Sequence, residues 1–217
     1  YVAARGFYHQ RAATALEAPF TAWTRPKSAM HDTVYECGLV AFPPHAGPPK
    51  GFEIFDVIGA TLDRSRVTRD VTGGWYDAAD WDRNQAHFSA VFDLLHAYAF
   101  NPDAFSDGQL RLPESGNGVP DVLDEARWGL ECWRRGQSAG GGVSGFIETS
   151  THPRYADTNY PYAFSPRTRW NSLIYAAGAA QYARLAAPFD APSSARYAES
   201  ARRAWRFGVD PANSLGS

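Results

Sequence analysis

Two aspartates three positions apart, Asp77 and Asp80, lie in the segment GGWYDAADWDRN (73–84), and a third, Asp82, follows two positions later. At the entrance to a helix, carboxylates at i and i+3 can face one side of a turn, where two of them can hold a water molecule. Hydrolysis of a glycosidic bond needs such a carboxylate as general base, with a second acidic group across the cleft to protonate the leaving oxygen. Crowding splits the pKa values of a close pair and keeps one member ionised. The same spacing also suits a helix cap with solvated dipole partners, the role assigned here to Asp82, or a calcium loop, because hard cations favour clustered carboxylates. Trp75, Tyr76 and Trp81 flank the acids. Such rings either stack on the C–H face of a sugar or pack beside the glycine turn.

The elements that must position these residues read as five helices. The first covers about Val2 to Ala18, with Phe7, Tyr8, Ala12 and Leu16 as its apolar residues and Pro19 as its stop. Some sixty residues without a sustained helical period follow, containing RPKSAMHDTVYECGL, the turn FPPHAGPPKG, and FEIFDVIGATLD, where Phe52, Ile54 and Ile58 suggest a short strand. A loop of that length in a compact domain is usually functional. The second helix, about Gln85 to Phe100, places Phe88, Val91, Phe92, Leu95 and Tyr98 on one face. The third opens at Pro120, with Asp121, Asp124 and Glu125 at the positive end of its dipole and Arg134 and Arg135 in its last turn. A glycine run and the polar, aromatic loop IETSTHPRYADTNYPYAFSP lead to an alanine-rich fourth helix, Arg167 to Ala187, and a fifth, Ser193 to Phe207. Helices separated by long loops rich in Asp, His and aromatics suggest helical hairpins with one working face. The thin strand signal predicts an all-α fold with a small β element.

Composition removes other classes. With 217 residues, 44 % hydrophobic and 20 % charged, the chain can bury a real core. A formal charge of −2 offers no excess for a phosphate backbone, and no run of 18 apolar residues spans a bilayer, so neither nucleic acid nor membrane is an expected partner. Cys37 and Cys132 lack metal-site spacing, and Cys132 falls in a helical pattern where a buried free thiol is the usual outcome. Seven Trp and eleven Tyr within a 14 % aromatic content suit a sugar cleft as well as a core.

The motif GGWYDAADWDRN resembles the signature of glycoside hydrolase family 9, whose members carry Asp-Ala-Gly-Asp after a Gly-Gly-Trp lead. RGFYHQRAATAL resembles the opening helix of that family. RPKSAMHD stands at the place of its Arg-Pro and His segment, PDVLDEARWGLECWRRGQ resembles its Pro-Asp-Leu-Leu-Asp-Glu helix, and SPRTRWNSLIYAAGAAQYARLA resembles the alanine-rich helix that follows. The match keeps the family's order over nearly the whole chain. It implies that Asp80 is the catalytic base, that Asp77 helps hold the nucleophilic water, and that hydrolysis proceeds with inversion. It also implies that His152 and Arg154 face the substrate, beside Trp75 and Tyr76 as further substrate-binding candidates. Ala79 departs from the usual glycine and places an alanine where positive φ would be strained. Asp124 and Glu125 are read as dipole and salt-bridge residues.

The family fold is an (α/α)6 toroid of six helical hairpins, so five helices imply a partial toroid. The family's general acid is a glutamate near the far end of the catalytic domain, beyond anything matched here; Glu114 and Glu148 are loop acids outside the matching motif. The resemblance therefore reads 1–217 as the N-terminal portion of a catalytic domain, with negligible activity by itself and unpartnered apolar faces that favour aggregation. It implies β-linked glucan or glucosaminide oligo- or polysaccharides as substrates, an extracellular or periplasmic location, no required cofactor, with a structural calcium as a candidate only, and room for an immunoglobulin-like module upstream of Tyr1. The segment ETSTHPRY departs from the cellulase pattern and tilts the expectation toward short oligosaccharides. The competing reading is a non-catalytic, carbohydrate-binding or calcium-stabilised helical module.

Overall fold

A computed structural model describes residues 2–27, 33–38, 53–76, 83–151 and 161–213. Among them are six α-helices and seven short strands. The helices are α1 (Val2–His9), α2 (Ile54–Thr61), α3 (Phe88–Phe100), α4 (Asp121–Arg135), α5 (Arg169–Ala186) and α6 (Ala191–Val209). The strands are β1 (Thr33–Glu36), β2 (Asp63–Arg69), β3 (Arg83–Asn84), β4 (Val143–Ser144), β5 (Phe146–Thr149), β6 (Tyr162–Phe164) and β7 (Arg167–Thr168).

The last four helices follow their sequence signals with shifted ends. A 3-10 turn over Gln85–His87 precedes α3, and the Asn84 side chain caps it by accepting from the Ala86 N–H. The cap expected of Asp82 falls outside the described residues. In α4, Pro120 is the N-cap. The first residues assigned to the fourth helix form β7 instead, and Thr168 caps α5 through its side chain. Asp190 does the same for α6, whose second residue is Pro192.

Two local expectations are overturned. The first helix ends at His9 rather than near Ala18. Beyond it the backbone of Gln10 to Ala12 pairs with Gly74 to Tyr76, through Ala12 N–H to Gly74 O at 2.9 Å and Tyr76 N–H to Gln10 O at 2.8 Å, and Ala13 takes φ +54°. Tertiary pairing outweighs helix propensity there. The strand expected at 52–58 is α2: Ile54 and Ile58 are separated by four, a helical spacing as well as an even one, and this face packs against Cys37, Phe146 and Ala163.

The main core lies among α3, α4, α5 and α6, with Phe88, Val91, Leu95, Leu130, Trp133 and Tyr175 buried in it. Alanines and Gly178 let α5 approach its neighbours closely, and the Tyr182 and Tyr197 rings meet edge-on at 4.7 Å. Cys37 and Cys132 are both buried and not joined in a disulfide, and the Cys37 thiol donates to Phe164 O at 3.2 Å. The β element is larger than the sequence suggests. Five strands form one sheet in the order β2-β1-β6-β5-β3, and β4 and β7 form a separate ladder.

Candidate active site at one end of the sheet

The strand registers gather the candidate segments. β1 runs antiparallel to β2 with Thr33 opposite Arg69, and parallel to β6 with Val34 opposite Tyr162. β5 is antiparallel to β6, with Thr149 opposite Tyr162, and to β3, with Arg83 opposite Ile147. The start of β1, the end of β2, the start of β3, the end of β5 and the start of β6 therefore all lie at one end of the sheet. The chain enters or leaves segments 28–32, 70–82 and 150–161 at these points. Asp77, Asp80, Asp82, Trp81, His152 and Arg154 lie outside the described residues, as does Ala79. What the structure describes is the frame on either side of them.

On the upstream side, Gly73 and Gly74 lie against α4. Gly74 N–H donates to Trp128 O at 2.7 Å, and the Trp128 indole returns a bond to Gly74 O at 2.9 Å. Both glycines have positive φ, +122° and +77°, and a Cβ on Gly73 would stand 2.8 Å from the Cys132 backbone nitrogen. Only glycine fits this approach. Tyr76 is buried, its hydroxyl accepts from Ala13 N–H at 3.2 Å, and Arg25 lies over its ring. Trp75 is buried too, with its ring 5.0 Å from that of Phe7. Both rings are thus enclosed in packing. On the downstream side Arg83 is 1 % exposed and donates to Val71 O at 2.8 Å. The described residues on both flanks, Gly73 to Tyr76 and Arg83, are thus held by hydrogen bonds and packing.

Beneath Trp75 is an ionic network that the sequence reading did not find. Arg11, wholly buried, meets Glu125 through Nη2 at 3.0 Å and Glu114 through Nη1 at 3.0 Å. Glu125, also wholly buried, accepts the Trp75 indole N–H at 2.7 Å. The Arg11 guanidinium lies 4.4 Å from the Trp128 ring centre. Burial pushes Glu125 upward against the pull of Arg11 and of the Trp75 N–H. The salt-bridge role expected of Glu125 is met, with a partner over a hundred residues away. The one available signal was Arg11 itself, a charge among the apolar residues of a supposed amphipathic helix.

Asp124 bonds Asn117 and Arg127, yet burial raises its pKa to about 6. Asp121 does more than face the helix dipole: its carboxylate accepts from Gly108 N–H, Leu110 N–H and the Ser115 hydroxyl at 3.0, 2.6 and 2.8 Å, fixing the loop before α4. Glu148 lies in β5 and accepts from Thr149 N–H. Among the described residues no group of three or more His, Cys, Asp or Glu is placed to hold a metal ion; the calcium candidate, Asp77 with Asp80 and Asp82, is outside them.

The model of the family described as glycosyl hydrolase family 9 matches residues 2–216. The chain is 30 % identical to a cellulose 1,4-beta-cellobiosidase of Acetivibrio thermocellus over an alignment covering 92 % of this chain and 24 % of that protein. It is 34 % identical to endoglucanase C of Cellulomonas fimi over 94 % of this chain and 19 % of that protein. Among solved structures, a metagenome-derived family 9 endoglucanase superposes with a TM-score of 0.75 at 34 % identity, covering 95 % of this chain and 35 % of the other. The Bacteroides ovatus family 9 structure gives 0.71 at 25 %, covering 94 % and 36 %. The chain thus spans about a quarter or less of these curated relatives and about a third of the solved ones.

Proposed function

This chain belongs to glycosyl hydrolase family 9, and from that premise we propose that the protein containing it hydrolyses β-1,4-linked glucan chains with inversion. In this reading Asp80 is the general base and Asp77 helps it hold the nucleophilic water. Asp80 takes a proton from that water, its oxygen attacks the anomeric carbon on the face opposite the leaving group, and the glycosidic C–O bond breaks. The leaving oxygen takes its proton from a general acid, which we assign to the part of the longer relatives that this chain does not span. His152 and Arg154 bind sugar hydroxyls. Trp75 and Tyr76, enclosed by Phe7 and Arg25, act as positioning residues that carry the aspartate segment.

What supports the reading, beyond family membership, is the convergence of five strand ends at one end of the sheet, where segments 70–82 and 150–161 begin and finish. The partial helical toroid belongs to the same proposal: α3 to α6 are its hairpins, and the sheet borders the cleft. The relatives named as a cellobiosidase and an endoglucanase favour glucan over glucosaminide as substrate. A polymeric glucan lies outside the cell, which places the protein in an extracellular or periplasmic setting; among the described residues no helix is long and apolar enough to cross a membrane.

The test is proton NMR of the complete protein acting on cello-oligosaccharides and on chitosan oligosaccharides. Initial release of the α-anomer from the glucan is the expected result. The β-anomer first would overturn inversion, hydrolysis of chitosan alone would overturn the glucan assignment, and no release from either would overturn the hydrolase reading.

A further inference from the structure

The loop that leads into α4 contains Asn117-Gly118, the one place in the sequence where glycine follows asparagine. Both residues are exposed, and nothing stands within 4 Å of a Cβ built on Gly118. A glycine there puts no side chain in the way of attack by its nitrogen on the Cγ of the residue before it. Hydrogen bonds hold each polar atom of the pair. Gly118 N–H donates to Asp107 Oδ2 at 2.7 Å, and Gly116 N–H donates to Asp107 Oδ1 at 2.6 Å. Val119 N–H donates to Asn117 Oδ1 at 2.8 Å, and Asn117 Nδ2 donates to Asp124 Oδ2 at 3.0 Å. The N–H bonds from Gly116 and Gly118 lower the pKa of Asp107 and keep it ionised, whereas burial raises that of Asp124 to about 6. A carboxylate that can take a proton and a carboxyl that can give one meet at a single dipeptide.

We propose that Asn117-Gly118 is a self-modification site, at which the folded loop converts the asparagine through a succinimide to aspartate and isoaspartate. The Gly118 nitrogen gives its proton to Asp107, and its electron pair attacks Asn117 Cγ to form the ring-closing bond. Negative charge developing on Oδ1 is met by the Val119 N–H, as in an oxyanion hole. Once Cγ is tetrahedral, the Nδ2 lone pair accepts a proton from Asp124, the Cγ–Nδ2 bond breaks, and ammonia leaves. Water carries the proton from Asp107 back to Asp124 and then adds to either carbonyl of the imide. In sum, one amide and one water become one carboxylic acid and one ammonia, with no oxidant, reductant or other reactant. The new carboxylate faces Asp124 where an N–H stood, and isoaspartate lengthens the backbone of the loop that Asp121 fixes before α4. The modified protein is therefore less stable at the start of α4.

The experiment incubates the complete protein in neutral buffer and follows the proteolytic fragment that contains residue 117 by mass spectrometry, which reads the mass gained when an amide becomes an acid. The same protein unfolded in urea, and a free peptide of residues 112–122 that lacks Asp107 and Asp124, are the references. The expected result is conversion about tenfold faster in the native protein than in either reference, a modest part of the roughly 10²–10⁴ that positioned acid and base groups can supply. Asp107→Ala and Asp124→Asn each return the rate toward the reference, with melting curves to establish that both variants are folded. The comparison of native with urea-unfolded wild type needs no variant, so it decides the question even where a substitution disturbs the loop. An Asn117 that keeps its amide in the native protein while the unfolded chain converts overturns the proposal, because the loop then protects the pair. Equal rates in the native and unfolded protein overturn the roles given to Asp107 and Asp124, and with them the proposal.

Discussion

The Trp75 indole lies so close over Gly129 in α4 that a Cβ built on that glycine would stand 2.2 Å from Cη2 and 2.4 Å from Cζ3. This contact fixes how the glycine turn and Trp75 sit on the helix. Alanine is intrinsically the better helix former by about 1 kcal/mol, but here the added methyl has no space. Gly129→Ala should therefore destabilise the protein by about 1–3 kcal/mol, read as a lower urea midpoint. A stabilised variant would show that the ring can move aside.

Arg11 is the cation between two carboxylates, one of them fully buried. Arg11→Met should cost about 3–5 kcal/mol by stranding Glu125. Lysine should rescue little, because a single ammonium cannot reproduce the forked contacts to Glu125 and Glu114. The double variant Arg11→Met with Glu125→Gln should recover part of the loss, and chemical unfolding of wild type, the two single variants and the double variant gives the coupling.

Asp124 carries a pH signature. Its folded pKa of about 6 lies above its ordinary value of 3.8, so the folded state binds the proton more tightly than the unfolded one. Its contribution is fully present below about pH 4 and is lost as pH rises through about 6. Wild type should therefore gain roughly 2–3 kcal/mol relative to Asp124→Asn on going from pH 7 to pH 4. The difference between the two unfolding curves isolates this group from the other carboxylates, and a difference independent of pH would refute the assignment.

Asp80→Asn in the complete protein should lower kcat by about 10²–10⁴ with an unchanged melting temperature, as loss of a general base does. Asp77→Asn should cost less, since in the proposed mechanism it only helps hold the water. If Asp80→Asn instead collapsed the fold and added calcium restored it, the aspartates would be a structural cation loop.

Cys132 offers a simple probe of the region beneath Gly74. Burial pushes its thiol up to about 12, and its sulfur would lie 2.8 Å from a Cβ on Gly74. It should resist a thiol reagent until the protein unfolds, so early labelling at this position would reveal opening of the glycine turn.

The sequence carried the helices α3 to α6, because their apolar spacing and caps are local properties set by residues three or four apart. It also carried the family, because the Gly-Gly-Trp lead and the order of segments are linear features. Two local readings failed where distant partners decide. Gln10 to Ala12 left the helical pattern to pair with Gly74 to Tyr76, and Ile54 with Ile58 satisfied either period until Cys37, Phe146 and Ala163 selected the helix.

That Asp77 and Asp80 stand three positions apart is legible in the sequence alone. That Arg11 lies against Glu125, that Trp75 rests on Gly129, and that β1, β2, β3, β5 and β6 bring their ends together could come only from the folded chain. Side-chain spacing along one element is fixed by backbone geometry, whereas the pairing of segments over a hundred residues apart is chosen by the packing and burial of the whole domain.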